Sequence, residues 1–169
     1  MGYPPVVIVD EKDKEIGLAM LAEAWEKGLY HRNVRIMVED TDGNILLQRR
    51  RPNMAIFPGR WDHSAAGHVD EGMTYLSAAR QEVTEEIGIP NPSLTRVGDF
   101  LMEKEFEGRK LNNFNRLYKL RITDRSIITP EPDEVSEIRW VTPAELRDML
   151  SSDPDSLTYG LAYVAQHYY

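Results

Sequence analysis

The stretch from Thr74 to Pro90 constrains the fold more tightly than any other, because it carries a start, a periodic face and a stop for one helix. The Thr74 hydroxyl suits an N-cap, where it accepts from a backbone N–H that the first turn leaves unpaired. Gly88 suits the left-handed residue that ends a helix, and Pro90 beyond it prevents continuation. The spacing predicts a helix from about Tyr75 to Ile87. At about 100° per residue, Leu76, Ala79, Val83 and Ile87 form a narrow stripe that should bury against a sheet. Glu82, Glu85 and Glu86 fall on an adjoining sector, since residues three and four apart share a face.

Carboxylates so placed repel one another by roughly a few tenths of a kcal/mol per pair. Two of them also sit near the helix C-terminus, where the dipole disfavours anions. A cation would reverse that cost, and carboxylate oxygens are the ligands that Mg²⁺ and Mn²⁺ prefer. A solvated acidic helix face is the alternative, and charge spacing alone does not separate the two.

Around this helix the pattern alternates. Val6 to Val9 reads as a short strand, and Leu18 to Lys27 as a helical turn or two ended by Gly28. Val34, Ile36 and Val38 alternate, Asp42-Gly43 marks a turn, and Ile45 to Gln48 completes a hairpin. Further strands are expected at Gly98 to Met102, Phe114 to Ile122 and Ile138 to Val141. Thr142-Pro143-Ala144-Glu145 is a capping box with proline in the first turn, opening a helix to Leu150, and a last helix runs from Asp155 to about Tyr168. Strands, a helix, more strands and terminal helices imply an α/β or α+β sandwich with a mixed sheet.

With 169 residues, no repeat and no Gly/Ser-rich linker, one domain over 1–169 is expected. There is no cysteine, which excludes disulfides and thiolate metal sites. The opening MGYPPVVIVDEKDKE turns charged too soon for a signal peptide or a membrane span, so the cytoplasm is the expected compartment. A net charge of −8 argues against long nucleic acids and anionic membranes as partners. A small phosphorylated ligand stays open, because a metal reverses the local field. Oligomeric state is undetermined, a homodimer included.

The segment from Gly67 to Ile89 resembles the Nudix signature, matching it at Gly67, Glu82, Val83, Glu85, Glu86, Gly88 and Ile89. The flanking features Gly28-Leu-Tyr-His-Arg, Gln48-Arg-Arg, Phe57-Pro-Gly-Arg-Trp-Asp, Ala66-Gly-His and Asp133-Glu-Val-Ser-Glu-Ile-Arg-Trp140 are similar to the branch that includes isopentenyl-diphosphate isomerase and its hydrolase-like relatives. The resemblance implies an α/β/α sandwich and metal-dependent cleavage of a phosphoanhydride in a nucleoside diphosphate derivative or similar small diphosphate. It implies Mg²⁺ or Mn²⁺ held by Glu82, Glu85, Glu86 and the carbonyl of Ala66. Glu85 or Glu134 would act as general base. Arg49 and Arg50, at the end of an apolar strand, are candidates to grip phosphate through the guanidinium fork. Trp61 reads as a core residue and His63 as an ordinary surface histidine.

Two signature positions depart. Met73 stands where glutamate is usual, and Gln81 where an arginine orients the metal-binding carboxylates. A Nudix fold that binds a phosphorylated ligand without efficient turnover is therefore a second reading. The isomerase is a third, and Ala66 at the position of its cysteine speaks against it. His68 matches a metal-binding histidine of that enzyme and His31 is a candidate match for another, so a vestigial second metal site is one expectation, with a structural role the favoured reading of each histidine.

Overall fold

The computed structural model describes residues 4–169, so the first three residues of the expected 1–169 unit lie outside the described residues. In chain order the elements are β1 (Val6–Val9), β2 (Glu15–Ala19), α1 (Leu21–Lys27), β3 (His31–Glu39), β4 (Ile45–Arg50), β5 (Trp61–Asp62), β6 (Ala65–His68), α2 (Tyr75–Ile87), β7 (Thr95–Phe106), β8 (Arg109–Arg121), β9 (Val135–Val141), α3 (Pro143–Ser152) and α4 (Tyr159–Tyr168).

The sheet is mixed and β3 is its hub. β3 runs parallel to β8, from His31↔Asn113 to Glu39↔Arg121. It runs antiparallel to β6, from Asn33↔His68 to Ile36↔Ala65, and meets β4 at Glu39↔Ile45. β8 continues into a long antiparallel pair with β7, while β4 carries β9 and the short β5. β1 joins the hub at Ile8↔His31 and carries β2 at the edge.

Because side chains alternate along a strand, the sheet has two apolar faces. Val34, Ile36, Val38, Leu46 and Leu120 pack with Ala78, Ala79, Val83 and Ile87 of α2. Met37, Ile45, Leu47 and Leu117 pack with Leu146 of α3 and Leu161 and Val164 of α4. The result is the α/β/α sandwich that the sequence implies. Among the described residues no helix is long and apolar enough to cross a membrane.

Four local expectations change. The last helix, expected from Asp155, begins at Tyr159 after a short 3-10 turn at Pro154–Ser156. Leu18 belongs to β2, where it pairs with Val7, so α1 begins only at Leu21. Within α2, Leu76 is exposed and the buried face turns instead to Tyr75, Ala78 and Glu86. His63 is not at the surface: it is wholly buried, its Nδ1 bonded to Asp62. Trp61, as expected, packs half-buried against the α3/α4 core.

Candidate active site

The helix that carries the glutamates is pinned at both ends. Thr74 and Ser77 form a reciprocal capping box at its start. Gly88 closes it with φ 75°, in the left-handed region, and a side chain there would also strike Thr129. The loop after β8 is laced to this end, with Thr129 N–H donating to the Ile87 carbonyl and Glu131 N–H to the Glu86 carbonyl, both at 2.9 Å. That lacing brings Glu134 to the same place as the helix glutamates.

Glu82, Glu85, Glu86, Glu134 and Asp70 line one cavity of about 330 Å³, together with Ala66, Gly67 and Gln81. Glu82 lies directly over Gly67: a Cβ there would sit 2.1 Å from its Oε1. The signature glycine is therefore a matter of space. Glu86 is 6% exposed and accepts from Gln48 Nε2 at 2.5 Å and from the Ala66 N–H at 3.2 Å. Its carboxyl faces that of Glu82, whose charge adds to the effect of burial on it. Burial pushes both acids well above the ordinary carboxylate range, and the charges of Glu85 and Glu134 add to the effect on Glu82. Asp70 is raised too, by burial and then by Glu85.

Among the described residues no three His, Asp or Glu side chains already converge on one point that would hold a metal. The donor chemistry nonetheless fits a hard divalent cation: the buried Glu86 carboxyl faces the half-buried Glu82, and further acids line the same cavity. Mg²⁺ ordinarily retains waters and takes phosphate oxygens, so few protein ligands suffice.

The three consecutive arginines go different ways. Arg50 lines the cavity, its Nε donating to the Ile56 carbonyl at 2.9 Å and its Nη1 to Asp62 at 3.2 Å. Arg49 lies outside the cavity lining; it donates to the Gly59 carbonyl and faces Glu137 at 3.4 Å. Arg51 is tied to the Pro132 carbonyl at 2.6 Å.

Asp62, which the sequence did not single out, anchors Arg50 from behind. It accepts from the His63 N–H and Nδ1 at 2.8 and 2.7 Å and from the Thr158 hydroxyl at 2.9 Å. Burial acts to raise its pKa, but the His63 hydrogen bond and the charges of His63, Arg50 and Arg35 hold it well below the ordinary range. Gln48 was likewise not assigned as a Glu86 donor, although Gln48-Arg-Arg is among the flanking features of the resemblance and ends the apolar run of β4.

Met73, at the first departure, packs against the apolar core under α2. Gln81, at the second, lines the cavity and brings no charge to the carboxylates. The other end of the cavity is formed by Trp25, His31, Asn33, Arg35, His68 and Asn113. Carboxamides, not carboxylates, surround the two imidazoles there, so this end does not fit the second metal site that the histidines suggested.

The NUDIX domain family model matches residues 29–160. An isopentenyl-diphosphate Delta-isomerase of Nocardia farcinica is 34% identical over 165 residues, covering 96% of this chain and 93% of that protein. The uncharacterized Nudix hydrolase YfcD of Escherichia coli K12 is 33% identical over 153 residues, covering 90% of this chain and 82% of that protein. Among solved structures, DR0079 from Deinococcus radiodurans superposes with a TM-score of 0.79 at 24% identity, covering 98% of this chain and 99% of that one. The chain therefore belongs to the Nudix hydrolase family, a family of pyrophosphohydrolases.

Proposed function

We propose that the protein hydrolyses the phosphoanhydride bond of a small diphosphate in a reaction that depends on Mg²⁺ or Mn²⁺. The observation that carries this reading is the buried Glu86 carboxyl facing the half-buried Glu82 in a cavity that Glu85, Glu134 and Arg50 also line. Two acids held together without a cationic partner are costly for folding alone, and such sites favour function.

In this reading Glu82, Glu85, Glu86 and the Ala66 carbonyl hold the cation. When bound, it lowers the pKa of a water and neutralises charge on the phosphate oxygens. Glu85 or Glu134, both on the cavity wall, takes the proton of the attacking water as its oxygen bonds to phosphorus and the bridging P–O bond breaks. Arg50, oriented by Asp62 and the Ile56 carbonyl, donates to the phosphate oxygens on which charge collects. Gln48 and the Ala66 N–H fix the Glu86 carboxyl in place.

The test is incubation of the pure protein with Mg²⁺ or Mn²⁺ and a panel of nucleoside diphosphates and their derivatives, beside Glu86→Gln. Product release that the substitution abolishes supports the hydrolase. Tight binding without turnover replaces it with the ligand-binding module that Met73 and Gln81 favour. Conversion of isopentenyl diphosphate to its isomer would point to the activity that names the Nocardia relative, although the chain has alanine at position 66 and no cysteine.

A further inference from the structure

One cation in the cavity wall has no anion of its own. His31, Asn33 and Arg35 form a polar row that alternates along one face of β3. The antiparallel register sets Arg35 beside Ala66, and the parallel register sets Asn115 beside Asn33. Arg35 thus lies level with the residue whose N–H holds Glu86. Its side chain is enclosed by protein, and the surface it keeps opens on the cavity that Arg50 and the glutamates also line.

What Arg35 touches is neutral. Its Nε donates to the Asn115 amide oxygen at 2.9 Å. With the Asn33 amide turned to satisfy all its neighbours, the Asn33 oxygen accepts from Arg35 Nη2 at 3.0 Å. Among the described residues Arg35 forms no ion pair, and its Nη1 has no protein acceptor. Burial works against its charge most of all, Asp62 and Glu86 favour it, and Arg50 opposes it. Both of those acids are engaged elsewhere. Asp62 accepts from His63 and Thr158 on one oxygen and from Arg50 on the other, while Glu86 is held by Gln48 and the Ala66 N–H.

The backbone adds to the imbalance. Gly160 lies in the first turn of α4, and a Cβ there would sit 3.4 Å from Arg35 Cζ and Nε. The guanidinium therefore lies against the positive pole of that helix, where a cation is disfavoured. Arg35 and Arg50 bring two positive charges to this part of the wall against the single carboxylate of Asp62. An enclosed cation without a paired anion is costly for the fold, and such groups are kept where a ligand supplies the opposite charge.

We propose that Arg35 is a second phosphate-binding residue, which grips the diphosphate together with Arg50, one guanidinium to each phosphate. The proposal rests on the hydrolase reading for the nature of the ligand. Asn33 and Asn115 fix the plane of the Arg35 fork through neutral amides, so its charge is kept for a phosphate, whereas Arg50 shares its charge with Asp62. The bond so made is charge-assisted and sheltered from water, and its loss reads as a large change in affinity.

The experiment titrates methylenediphosphonate, which contains no anhydride to cleave, into wild type and Arg35→Gln by calorimetry in the presence of Mg²⁺. The expected result is binding weakened about ten- to hundredfold by the substitution, with no fall in the thermal midpoint of the ligand-free protein. Equal affinity in the two proteins overturns the proposal, as does a wild type that takes up no methylenediphosphonate. Should the midpoint fall along with the affinity, Arg35→Ala decides: binding restored by added guanidinium ion supports the proposal, and binding that stays weak makes Arg35 a structural residue and overturns it. If Arg35→Gln does not fold, Arg35→Lys, which keeps the charge and loses the fork, takes its place with an expected weakening of about tenfold. Any diphosphate that the protein cleaves should lose kcat/KM by a similar factor in the variant. If none is turned over, the hydrolase reading falls, while weakened methylenediphosphonate binding still supports Arg35 as a phosphate-binding residue.

Discussion

Two buried acid centres share one cavity and are treated in opposite ways. Asp62 receives hydrogen bonds from His63, Thr158 and Arg50, and is held ionised. Glu86 receives two, from Gln48 and the Ala66 N–H, and faces a second acid, Glu82. Asp62 is thus complete within the chain, whereas the glutamate pair forms no ion pair among the described residues and, in the proposed reading, takes its cation from outside. A compensated buried charge builds structure and an uncompensated one marks where a ligand belongs.

The comparison predicts that Asp62 is the costlier residue for folding. Asp62→Asn leaves the Arg50 and His63 partners buried around a neutral amide and should destabilise the protein by about 3–5 kcal/mol in urea unfolding. The sign with pH follows from the lowered native pKa. Ionised Asp62 stabilises the fold above its unfolded value of about 3.9, and this contribution is lost as the pH falls through the native value. The gap between wild type and variant should therefore narrow between about pH 5 and about pH 3, and a gap constant over that window breaks the comparison.

Glu86→Gln should do the reverse. It removes an acid that burial and Glu82 disfavour in its ionised form, and keeps the shape, so the thermal midpoint in the presence of a chelator should not fall. Turnover should drop at least about a hundredfold, or ~2.7 kcal/mol in the barrier. A large loss of stability with turnover retained would put Glu86 in the same class as Asp62. Gly67→Ala sharpens the contrast at the next level. Its methyl would displace the Glu82 carboxyl, which lies 2.1 Å from the Cβ position, and should lower turnover about tenfold while the fold persists.

How far the sequence reveals these centres depends on whether a residue's partners are local. α2 is legible end to end, because Thr74, Ser77 and Gly88 act within one turn of themselves. The rotation of its buried face is not, because Glu86 is drawn inward by Gln48 of β4 and the N–H of Ala66 in β6, both distant in sequence. Leu18 has the period of either element, and only its pairing with Val7 assigns it to a strand. Asp62 and His63 are two ordinary polar residues until β5 places them beside Arg50 of β4 and Thr158 before α4. The polar row on β3 is visible as alternation, but the parallel strand β8 that completes it is more than seventy residues away.

The smallest expected effect lies outside the cavity altogether. Thr142 caps α3, accepting from the Glu145 N–H at 3.1 Å while the Glu145 carboxylate accepts from the Thr142 N–H at 2.7 Å. Thr142→Ala removes one half of this reciprocal pair at an exposed site, where water replaces much of what is lost, and should cost about 1 kcal/mol. Since α3 packs on the sheet face opposite α2, the substitution reaches neither the glutamates nor Arg50. Chemical denaturation should shift its midpoint modestly while kcat/KM for any diphosphate stays at the wild-type value. A parallel loss of turnover would mean that the two faces of the sheet are coupled, and that the acid centres are not set by their immediate partners alone.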